Sequence, residues 1–552
     1  METTITTVKK PNVLLAKNPT SSQKKWFGPP ESVYYDIEGI RSRLLALDRD
    51  VYIVRTDQGN GATSHGEFAD AVRSEGDSQE SLASINAFPI ERLGDPAFND
   101  FYGTKYAYYA GAMANGIAST QMVITLGKAG FLGSFGSAGM VAGRLESAIR
   151  EIKEGLPQGP YAFNLIHSPS EDALERRAVD LYLKYNVTTV EASAFIDLTP
   201  SLIYYRAAGL SLDPAGEIVI GNRVIAKLSR KEVALKFLQP APPAILKRLV
   251  DENRISPLQA ELAQKVPVAD DITVEGDSGG HTDNRPLVCL VPAMVALRDE
   301  IQEKYHYRNP VRVGAAGGIS TPGSALAAFM MGAAFIVTGT VNQACLEAGT
   351  CDHTRKLLAQ ADMADVIMAP SADMFEMGVR VQVLKKGTFF PMRSQKLFDY
   401  YQQYNAIEEI PQVDRDKLEK QVFKRSLELV WEDTVKFFEE RDPDQIERAN
   451  KNPKRKMALI FRWYLGLSSR WSNFGEPGRE MDYQIWCGPS IGPFNEWTQN
   501  TYLAQPENRR VVDVAKHILT GSAYLYRMQS LKMQGIQFPS SLESYRPSQP
   551  VD

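Results

Sequence analysis

The feature that most limits the fold of this chain is a regular alternation of short apolar runs and helix-like stretches between Tyr106 and Thr338. Such alternation is typical of a parallel sheet whose strands are joined by crossover helices. Eight segments have the composition of buried strands: Tyr106–Met113, Phe131–Phe135, Tyr161–Ile166, Thr188–Ala192, Val224–Leu228, Ile272–Glu275, Val311–Ala316 and Phe335–Thr338. Eight strand-helix units in roughly 250 residues match a (β/α)8 TIM barrel. A doubly wound open sheet is the alternative, because the number of strands does not show whether the sheet closes.

The barrel accounts for only part of the 552 residues, so we expect additions on both sides of it. The chain divides into an N-terminal accessory region (1–100), the TIM barrel (101–350) and a largely helical C-terminal region (351–552). The accessory region should begin with a disordered tip and contain a strand at Val51–Thr56. An insertion at about 236–268 should hold two helices, and the C-terminal region a long amphipathic helix at Arg415–Glu440.

Composition and charge exclude several classes of protein. With 62 Lys and Arg against 66 Asp and Glu, the formal net charge is −4, which gives no electrostatic case for binding nucleic acid. The 4 cysteines are scattered without Cys-x-x-Cys spacing, so we expect neither a disulfide framework nor a metal site. The uncharged run from Val313 to Leu346 has the length of a membrane helix, but turn residues from Gly317 to Gly323 break it. Because the start also lacks the apolar core of a signal peptide, we expect a cytoplasmic protein without a membrane segment.

Two glycine-containing loops give the strongest local signal. GAAGG at Gly314–Gly318 follows the seventh strand candidate, and TGT at Thr338–Thr340 follows the eighth. In a barrel, the loops after these two strands commonly form a phosphate site. Glycines let backbone N–H groups approach a phosphate closely, so such a site does not need a lysine. An uncharged buried core would have a similar sequence, and both readings stay open at this point.

Polar residues near strand ends are the candidates for chemistry. His281 follows a double glycine in VEGDSGGHTDNRP, and histidine titrates near neutrality. Lys227 could stabilise negative charge on a cofactor ring or substrate, although an ion pair at the barrel mouth would place a lysine there equally well. Asn164 is predicted to end the third strand and could hydrogen-bond a ring, while Met113 is predicted to end the first strand.

In this order the motifs resemble those of the nitronate monooxygenase and flavin-dependent enoyl reductase superfamily. They are GAMANG, FGSAG, FNL, GDSGGH, AAGGIS and TGT, between Tyr106 and Gly349. Two further segments, Met368–Tyr401 and Arg470–Thr498, resemble PfaD-type proteins, the trans-acting enoyl reductases of polyketide and polyunsaturated fatty acid synthases. One departure is the segment before Gly-Gly-His, where the superfamily often has Glu-Ala and this chain has Asp277 and Ser278, which leaves the role of Asp277 open.

The resemblance implies a cofactor and its contacts. FMN would lie over the barrel mouth with its phosphate on Gly317, Gly318, Gly339 and Thr340. Its ring would lie near Ala112, Met113, Asn164 and Lys227, with Gly279 and Gly280 beside it. The expected catalytic residues are His281, as proton donor or partner of the thioester oxygen, and Lys227, as a stabiliser of negative charge. Hydride would come from NADPH, although the sequence has no separate dinucleotide fingerprint.

The resemblance also implies a reaction and partners. The leading hypothesis is reduction of the α,β-double bond of an enoyl thioester carried by an acyl carrier protein. The alternatives are a nitronate monooxygenase-like flavin oxidase and a non-catalytic flavin-binding scaffold of a synthase. Two basic clusters, Lys385 with Lys386 and the group from Lys451 to Lys456, could dock the carrier protein, although short lysine runs are usually solvated faces. The insertion and the Trp-rich tail are candidate contacts of a homodimer.

Overall fold

In the computed structural model, the described residues are 13–16, 24–70, 78–167 and 172–551. They form two compact units, one from residues 94–320 and 328–512, the other from the described parts of 1–93, 321–327 and 513–552. The predicted disordered tip lies outside the described residues. None of the described helices is both long enough and apolar enough to cross a membrane.

The larger unit contains a closed barrel of eight parallel strands. They are β1 (Tyr108–Ala110), β2 (Leu132–Phe135), β3 (Ala162–Ile166), β4 (Thr189–Ser193), β5 (Arg223–Leu228), β6 (Asp271–Glu275), β7 (Arg312–Ala316) and β8 (Ile336–Thr338). Each strand pairs with its neighbour in the chain, and β8 pairs with β1 to close the barrel. The predicted TIM barrel is confirmed, and the open sheet is wrong. The strand prediction extended too far at one point, because β1 ends at Ala110 and Met113 lies in the following loop.

Helices surround the barrel in the expected alternation. Those between residues 96 and 330 are Pro96–Tyr102, Thr120–Lys128, Ala142–Gly155, Asp172–Lys184, Pro200–Ala208, Lys231–Leu238, Pro243–Asp251, Pro257–Ala263, Leu287–Tyr305 and Pro322–Met330. The two helices predicted within 236–268 are present as Pro243–Asp251 and Pro257–Ala263. The second begins at a capping box, in which the Ser256 and Gln259 side chains each bond to the other's backbone N–H.

A buried polar cluster lies at the end of the barrel where the strands begin. Arg312 donates two hydrogen bonds of 2.7 Å to the fully buried carboxylate of Asp271, which also accepts from the Tyr102 hydroxyl. The Arg312 guanidinium lies 4.6 Å from the centre of the Phe101 ring. Burial raises the pKa of Asp271, against the opposing effect of Arg312. Because TIM-barrel active sites form at the opposite end, this cluster serves stability.

The C-terminal part of the larger unit is largely helical, as predicted. Its helices are Thr340–Gln343, Asp352–Ala359, Phe390–Gln403, Gln412–Lys417, Leu427–Arg441, Asp444–Lys451, Pro453–Phe474 and Ile491–Thr498, and Val511–Met533 runs on into the smaller unit. A three-stranded antiparallel sheet is formed by Gly280–His281, Arg380–Leu384 and Val366–Pro370, in that order. This sheet joins the C-terminal part to the loop after β6.

The single helix predicted for Arg415–Glu440 is wrong. A π-helical segment, Leu418–Phe423, ends at Lys424, whose φ of 57° is left-handed, and a new helix begins at Leu427. The Ser426 hydroxyl caps that helix by accepting from the Leu429 N–H. Leu418 and Val422 are buried, whereas Leu429, which continues their helical spacing after the break, is 44% exposed. Periodicity alone therefore does not reveal the break.

The smaller unit is built on a five-stranded antiparallel sheet. Its strands, in spatial order, are Gly59–Thr63, Val51–Thr56, Gln79–Ile85, Lys24–Phe27 and Glu67–Asp70. The predicted strand Val51–Thr56 is therefore confirmed. Trp26, Val33 and Val54 form a buried cluster, and the buried Arg527 donates to the carbonyl oxygens of Leu44 and Ala46. Two short strand pairs complete the described strands: Leu15–Ala16 with Ile536–Gln537, and Leu210–Leu212 with Ile218–Ile220.

Candidate active site

A lysine lies between two carboxylates where three neighbouring strands of the barrel end. The Nζ of Lys227 on β5 is 3.2 Å from Oε1 of Glu191 on β4 and 3.8 Å from Oε1 of Glu275 on β6. Glu191 is 0% exposed. Burial opposes the charge of Lys227, but Glu275 and Glu191 together raise its pKa above the usual value. Burial also raises the pKa of Glu275, against the effect of Lys227. The barrel mouth thus holds a lysine at a fixed point, and the two carboxylates favour its protonated form.

Glu191 also fixes the loop after β1. Its Oε2 accepts a hydrogen bond of 2.9 Å from the backbone N–H of Ala112, next to Met113. The same carboxylate thus positions both a cation and a segment of the predicted cofactor site.

Asn164 lies within β3 rather than at its end, contrary to the sequence prediction. Its Nδ2 donates to the Glu191 carbonyl oxygen at 3.1 Å and to the Ser193 hydroxyl at 2.9 Å. Both amide hydrogens are therefore committed to β4, and the amide oxygen is the group that Asn164 can offer to a ring.

His281 is held by residues from the C-terminal part of the larger unit. In its two-residue strand it pairs with Val381, and its Nε2 lies 3.0 Å from Oδ2 of Asp373. Burial lowers the pKa of His281, but the hydrogen bond and charge of Asp373, with a further contribution from Glu275, raise it overall. His281 conversely holds the pKa of Asp373 below its usual value, although burial acts in the opposite direction. With a side chain that is 31% exposed, the imidazole is accessible from solvent.

Asp277 stabilises the loop that carries His281. Its Oδ1 accepts from Nε2 of Gln382 at 2.7 Å and from Nδ2 of Asn284 at 2.9 Å. Gln382 also donates to the carbonyl oxygen of Ser278 at 2.7 Å. The role of Asp277 that the sequence left open is therefore a structural one, which ties the loop to the strand Arg380–Leu384.

The double glycine before His281 meets another part of the chain. A Cβ at Gly279 would lie 2.9 Å from the backbone nitrogens of Cys487 and Gly488, closer than such atoms approach. Gly280 has a φ of 79°, which favours glycine. The backbone of the C-terminal part thus packs directly on the loop after β6.

The glycines after β7 and β8, Gly317, Gly318 and Gly339, form a concave backbone surface that we call the glycine cradle. Gly318 and Gly339 face open space. Gly317 and Gly318 have left-handed φ values of 78° and 75°. A Cβ at Gly318 or Gly339 would meet no atom within 4 Å, whereas one at Gly317 would lie 2.7 Å from the Gly276 carbonyl carbon. The Thr340 hydroxyl accepts from the Gly488 N–H at 3.1 Å. Successive left-handed residues of this kind suit an anion such as phosphate, so these residues fit the predicted cofactor.

Sequence reasoning missed three carboxylates of this site. Glu191 and Glu275 could have been found, because the ends of adjacent parallel strands meet in a barrel and both residues lie near such ends. Asp373 carried no comparable signal, since it is 92 residues from His281. Only the pairing of Gly280–His281 with Arg380–Leu384 brings it there.

Comparisons with known proteins agree with this barrel and its additions. The profile of the nitronate monooxygenase family matches residues 95–396, more than half of the chain. The profile described as the fatty acid synthase subunit PfaD N-terminal domain matches residues 26–87. Residues 404–483 match the inserted helical domain of [acyl-carrier-protein] S-malonyltransferase.

The chain is also similar to three individual proteins. The enoyl reductase domain of MlnA from the macrolactin cluster of Bacillus amyloliquefaciens is 40% identical, with a TM-score of 0.76, over 81% of this chain and 100% of that one. A polyunsaturated fatty acid synthase subunit of Thraustochytrium sp. is 46% identical over 92% of this chain. Polyketide biosynthesis protein PksE of Bacillus subtilis is 47% identical over 80% of it. The chain spans 34% of the length of the Thraustochytrium protein and 58% of PksE.

The barrel and the glycine cradle at its mouth thus define a family of oxidoreductases with the nitronate monooxygenase fold. Within that family, the chain belongs to the PfaD-type proteins, and it is similar to a polyunsaturated fatty acid synthase subunit and to a polyketide biosynthesis protein.

Proposed function

We propose that this protein reduces the α,β-double bond of enoyl thioesters attached to an acyl carrier protein, with NADPH as hydride donor and FMN as cofactor. The observation that carries the proposal is the placement of Lys227 and His281, each held by a carboxylate, at the mouth of a barrel with a glycine cradle. The 40% identity to an enoyl reductase domain supports the same reaction. FMN, when bound, supplies the transfer of hydride from NADPH to the β-carbon of the thioester.

The residues that would hold FMN divide into two groups. Gly317, Gly318, Gly339 and Thr340 would bind the phosphate through backbone N–H groups. Ala112, Met113, the Asn164 amide oxygen, Lys227, Gly279 and Gly280 would surround the ring. Lys227 would favour negative charge on the ring or on the thioester oxygen, because Glu191 and Glu275 keep it protonated.

His281 would supply the second hydrogen of the reduction as a proton. Hydride addition at the β-carbon leaves negative charge on the α-carbon and thioester oxygen, which requires an acid in reach. The raised pKa of His281 favours the protonated imidazole, the form that can act as the acid. Asp373 positions the ring and stabilises its charged form through the 3.0 Å contact. The net change is addition of one hydride from NADPH and one proton to the double bond.

An anaerobic experiment separates this function from its alternatives. The purified yellow protein is mixed with NADPH while flavin absorbance is followed, and an enoyl thioester on a carrier protein is then added. We expect bleaching by NADPH and recovery of absorbance with the thioester. Absence of bleaching would favour a nitronate monooxygenase-like oxidase, and bleaching without recovery for any enoyl chain length would favour a non-catalytic scaffold. Replacing His281 by Ala should slow recovery but not bleaching.

The two basic clusters are already engaged with neighbouring residues. Lys454 and Lys456 lie 4.8 and 5.1 Å from the ring centres of Tyr401 and Trp431. Lys386 donates to the Gln360 carbonyl oxygen at 2.6 Å and lies 3.4 Å from the Asp365 carboxylate. We therefore expect charge reversal in these clusters to affect carrier affinity weakly.

A further inference from the structure

Two loops of the barrel mouth are joined by an ion pair between Arg230 and Asp283. Arg230, in the loop after β5, donates two hydrogen bonds to the Asp283 carboxylate, from Nε at 2.9 Å and from Nη2 at 2.8 Å. The Ser229 hydroxyl donates to the same carboxylate at 2.5 Å. Donors from two successive residues of one loop therefore hold a single side chain of the loop after β6.

This pair has features that most surface ion pairs lack. Exposed pairs contribute little to stability, because their side chains lose freedom and salt screens their charges. The Arg230 guanidinium instead makes a two-bond contact that fixes direction as well as distance, and only 25% of the Asp283 side chain is exposed. Hydrogen bonding from Arg230, opposed by burial and assisted by Ser229, lowers the pKa of Asp283 to about 2. The carboxylate is therefore ionised at neutral pH.

The pair connects the two candidate catalytic residues by a short path. Lys227 lies three residues before Arg230 in the chain, and His281 lies two residues before Asp283. The strands that lead to these loops are neighbours in the barrel, with Lys227 of β5 opposite Thr273 of β6. The path from Lys227 through Arg230 and Asp283 to His281 thus has one non-covalent step, and two parallel hydrogen bonds hold it.

The loop after β6 has little regular structure of its own to fix this distance. Its strand has only two residues, Gly280–His281, and the double glycine before His281 gives the backbone freedom. Asn284 has a left-handed φ of 50°, and its Nδ2 donates to Oδ1 of Asp277 at 2.9 Å, which closes the loop on itself. Asp283 ties this closed loop to the end of β5.

The other contacts of His281 act on a different distance. Val381 pairs with His281, and Asp373 contacts its Nε2, but both residues belong to the C-terminal part of the larger unit. They fix the imidazole relative to that part of the chain. The contact of Arg230 with Asp283 instead fixes the loop of His281 relative to β5, the strand of Lys227.

We propose that Arg230 is a positioning residue that sets the separation of Lys227 and His281, an inference that rests on the proposed reductase function. Lys227 and His281 would act on one thioester, the first on its developing negative charge and the second as acid, so their separation must match the substrate. A misplacement of about 1 Å can slow a reaction about a hundredfold. Asp373 would control the protonation of His281, and Arg230 its distance from Lys227.

The first test measures the two half-reactions of the flavin separately. For Arg230→Gln we expect flavin reoxidation by a crotonyl group on an acyl carrier protein to slow at least tenfold, while bleaching by NADPH keeps its rate. Arg230→Lys, which keeps the charge but not the two-bond contact, should have an intermediate rate. Arg248→Gln removes an exposed ion pair with Glu252 on the helix Pro243–Asp251 and is the matched control. Reoxidation at the wild-type rate in Arg230→Gln would overturn the proposal.

The pH dependence of reoxidation distinguishes positioning from an effect on the acid itself. Burial lowers the pKa of His281, whereas Asp373 and Glu275 raise it, and Arg230→Gln replaces neither carboxylate. We therefore expect a lower rate at every pH, with the descending limb in its wild-type position. A limb moved to lower pH would show that Arg230 acts through the acidity of His281 and would overturn the proposal.

Hydrogen exchange followed by mass spectrometry tests the pair without turnover. Amides within residues 276–286 should exchange faster in Arg230→Gln than in the wild type, and Arg248→Gln should match the wild type there. If the wild-type protein reduced no enoyl thioester, the proposed function would fail, and this measurement would still test whether the pair holds the loop. Unchanged exchange within 276–286 would overturn the proposal even in a protein that reduces thioesters.

Discussion

The Nζ of Lys227 lies 3.2 Å from the Oε1 of Glu191, a carboxylate without solvent exposure whose other oxygen bonds to the backbone of Ala112. One buried side chain thus connects the central cation of the mouth with the loop that leads to Met113. The ion pair and the position of the loop therefore depend on the same carboxylate. A substitution of Lys227 or Glu191 should disturb both.

Lys227→Met should leave the buried Glu191 carboxylate without its closest cation. Removing one partner of a buried ion pair costs about 3–5 kcal/mol, so we expect a large fall in thermal stability. The double variant Lys227→Met, Glu191→Gln should recover most of the loss, because a Gln oxygen can still accept from the Ala112 N–H. The measurement is a double-mutant cycle of unfolding free energies. Additive effects of the two substitutions would contradict the coupling.

Asp373→Asn should move the pH dependence of thioester reduction to lower pH. Asp373 raises the pKa of His281 above 6.5, so the acid form persists to higher pH in the wild type and is lost as pH rises through the raised pKa. The Asn side chain keeps the hydrogen bond but removes the charge. The rate of flavin reoxidation by thioester, followed from pH 5 to 10, should therefore fall earlier in the variant. An unmoved descending limb would exclude His281 as the acid.

The His281–Asp373 pair also affects the stability of the folded protein. The pKa of His281 is higher in the folded state than in the unfolded state. The pair therefore contributes its full stabilisation of the folded state below about pH 6.5, and this stabilisation disappears as the pH rises through the folded-state pKa. The difference in melting temperature between the wild type and Asp373→Asn should accordingly shrink at alkaline pH.

Gly339→Ala should weaken FMN binding while the protein that lacks FMN stays folded. A Cβ at Gly339 meets no protein atom within 4 Å, but its φ of −126° and ψ of −79° lie outside the regions that alanine usually occupies, so a modest loss of stability is expected as well. The added methyl group would occupy the space that a phosphate needs. Fluorescence titration with FMN should show at least a tenfold rise in Kd, with a modestly lowered melting temperature for the FMN-free protein. Gly466→Ala is the control, since it also adds a methyl group in open space.

Arg312→Leu should destabilise the barrel without changing catalysis in the folded fraction. The substitution leaves the fully buried Asp271 without its two hydrogen bonds of 2.7 Å, at a cost of about 3–5 kcal/mol. Arg308→Leu removes an exposed pair with Glu217 instead and should change stability by less than about 1 kcal/mol. Chemical denaturation measures both. Similar losses for the two variants would contradict a structural role for the Asp271 cluster.

Alternation of apolar runs was sufficient to predict eight parallel strands, because parallel strands buried on both faces have a composition that short segments reveal. It did not by itself distinguish a closed barrel from an open sheet. Lys227 and His281 were predictable as candidates from their places near strand ends. The break at Lys424 was not, because apolar residues at helical spacing lie on both sides of it. Nor was Asp373, because strand pairing across 92 residues depends on the tertiary fold.

The strand that pairs with His281 has a consequence for synthesis. All eight barrel strands have left the ribosome once residue 338 has been translated and has passed through the exit tunnel. His281 then still lacks its strand partner Val381 and its carboxylate Asp373, and the loop before it lacks the Cys487–Gly488 backbone. All eight barrel strands are therefore available before His281 has these partners, and the candidate active site is completed only after the C-terminal part of the larger unit has been synthesised.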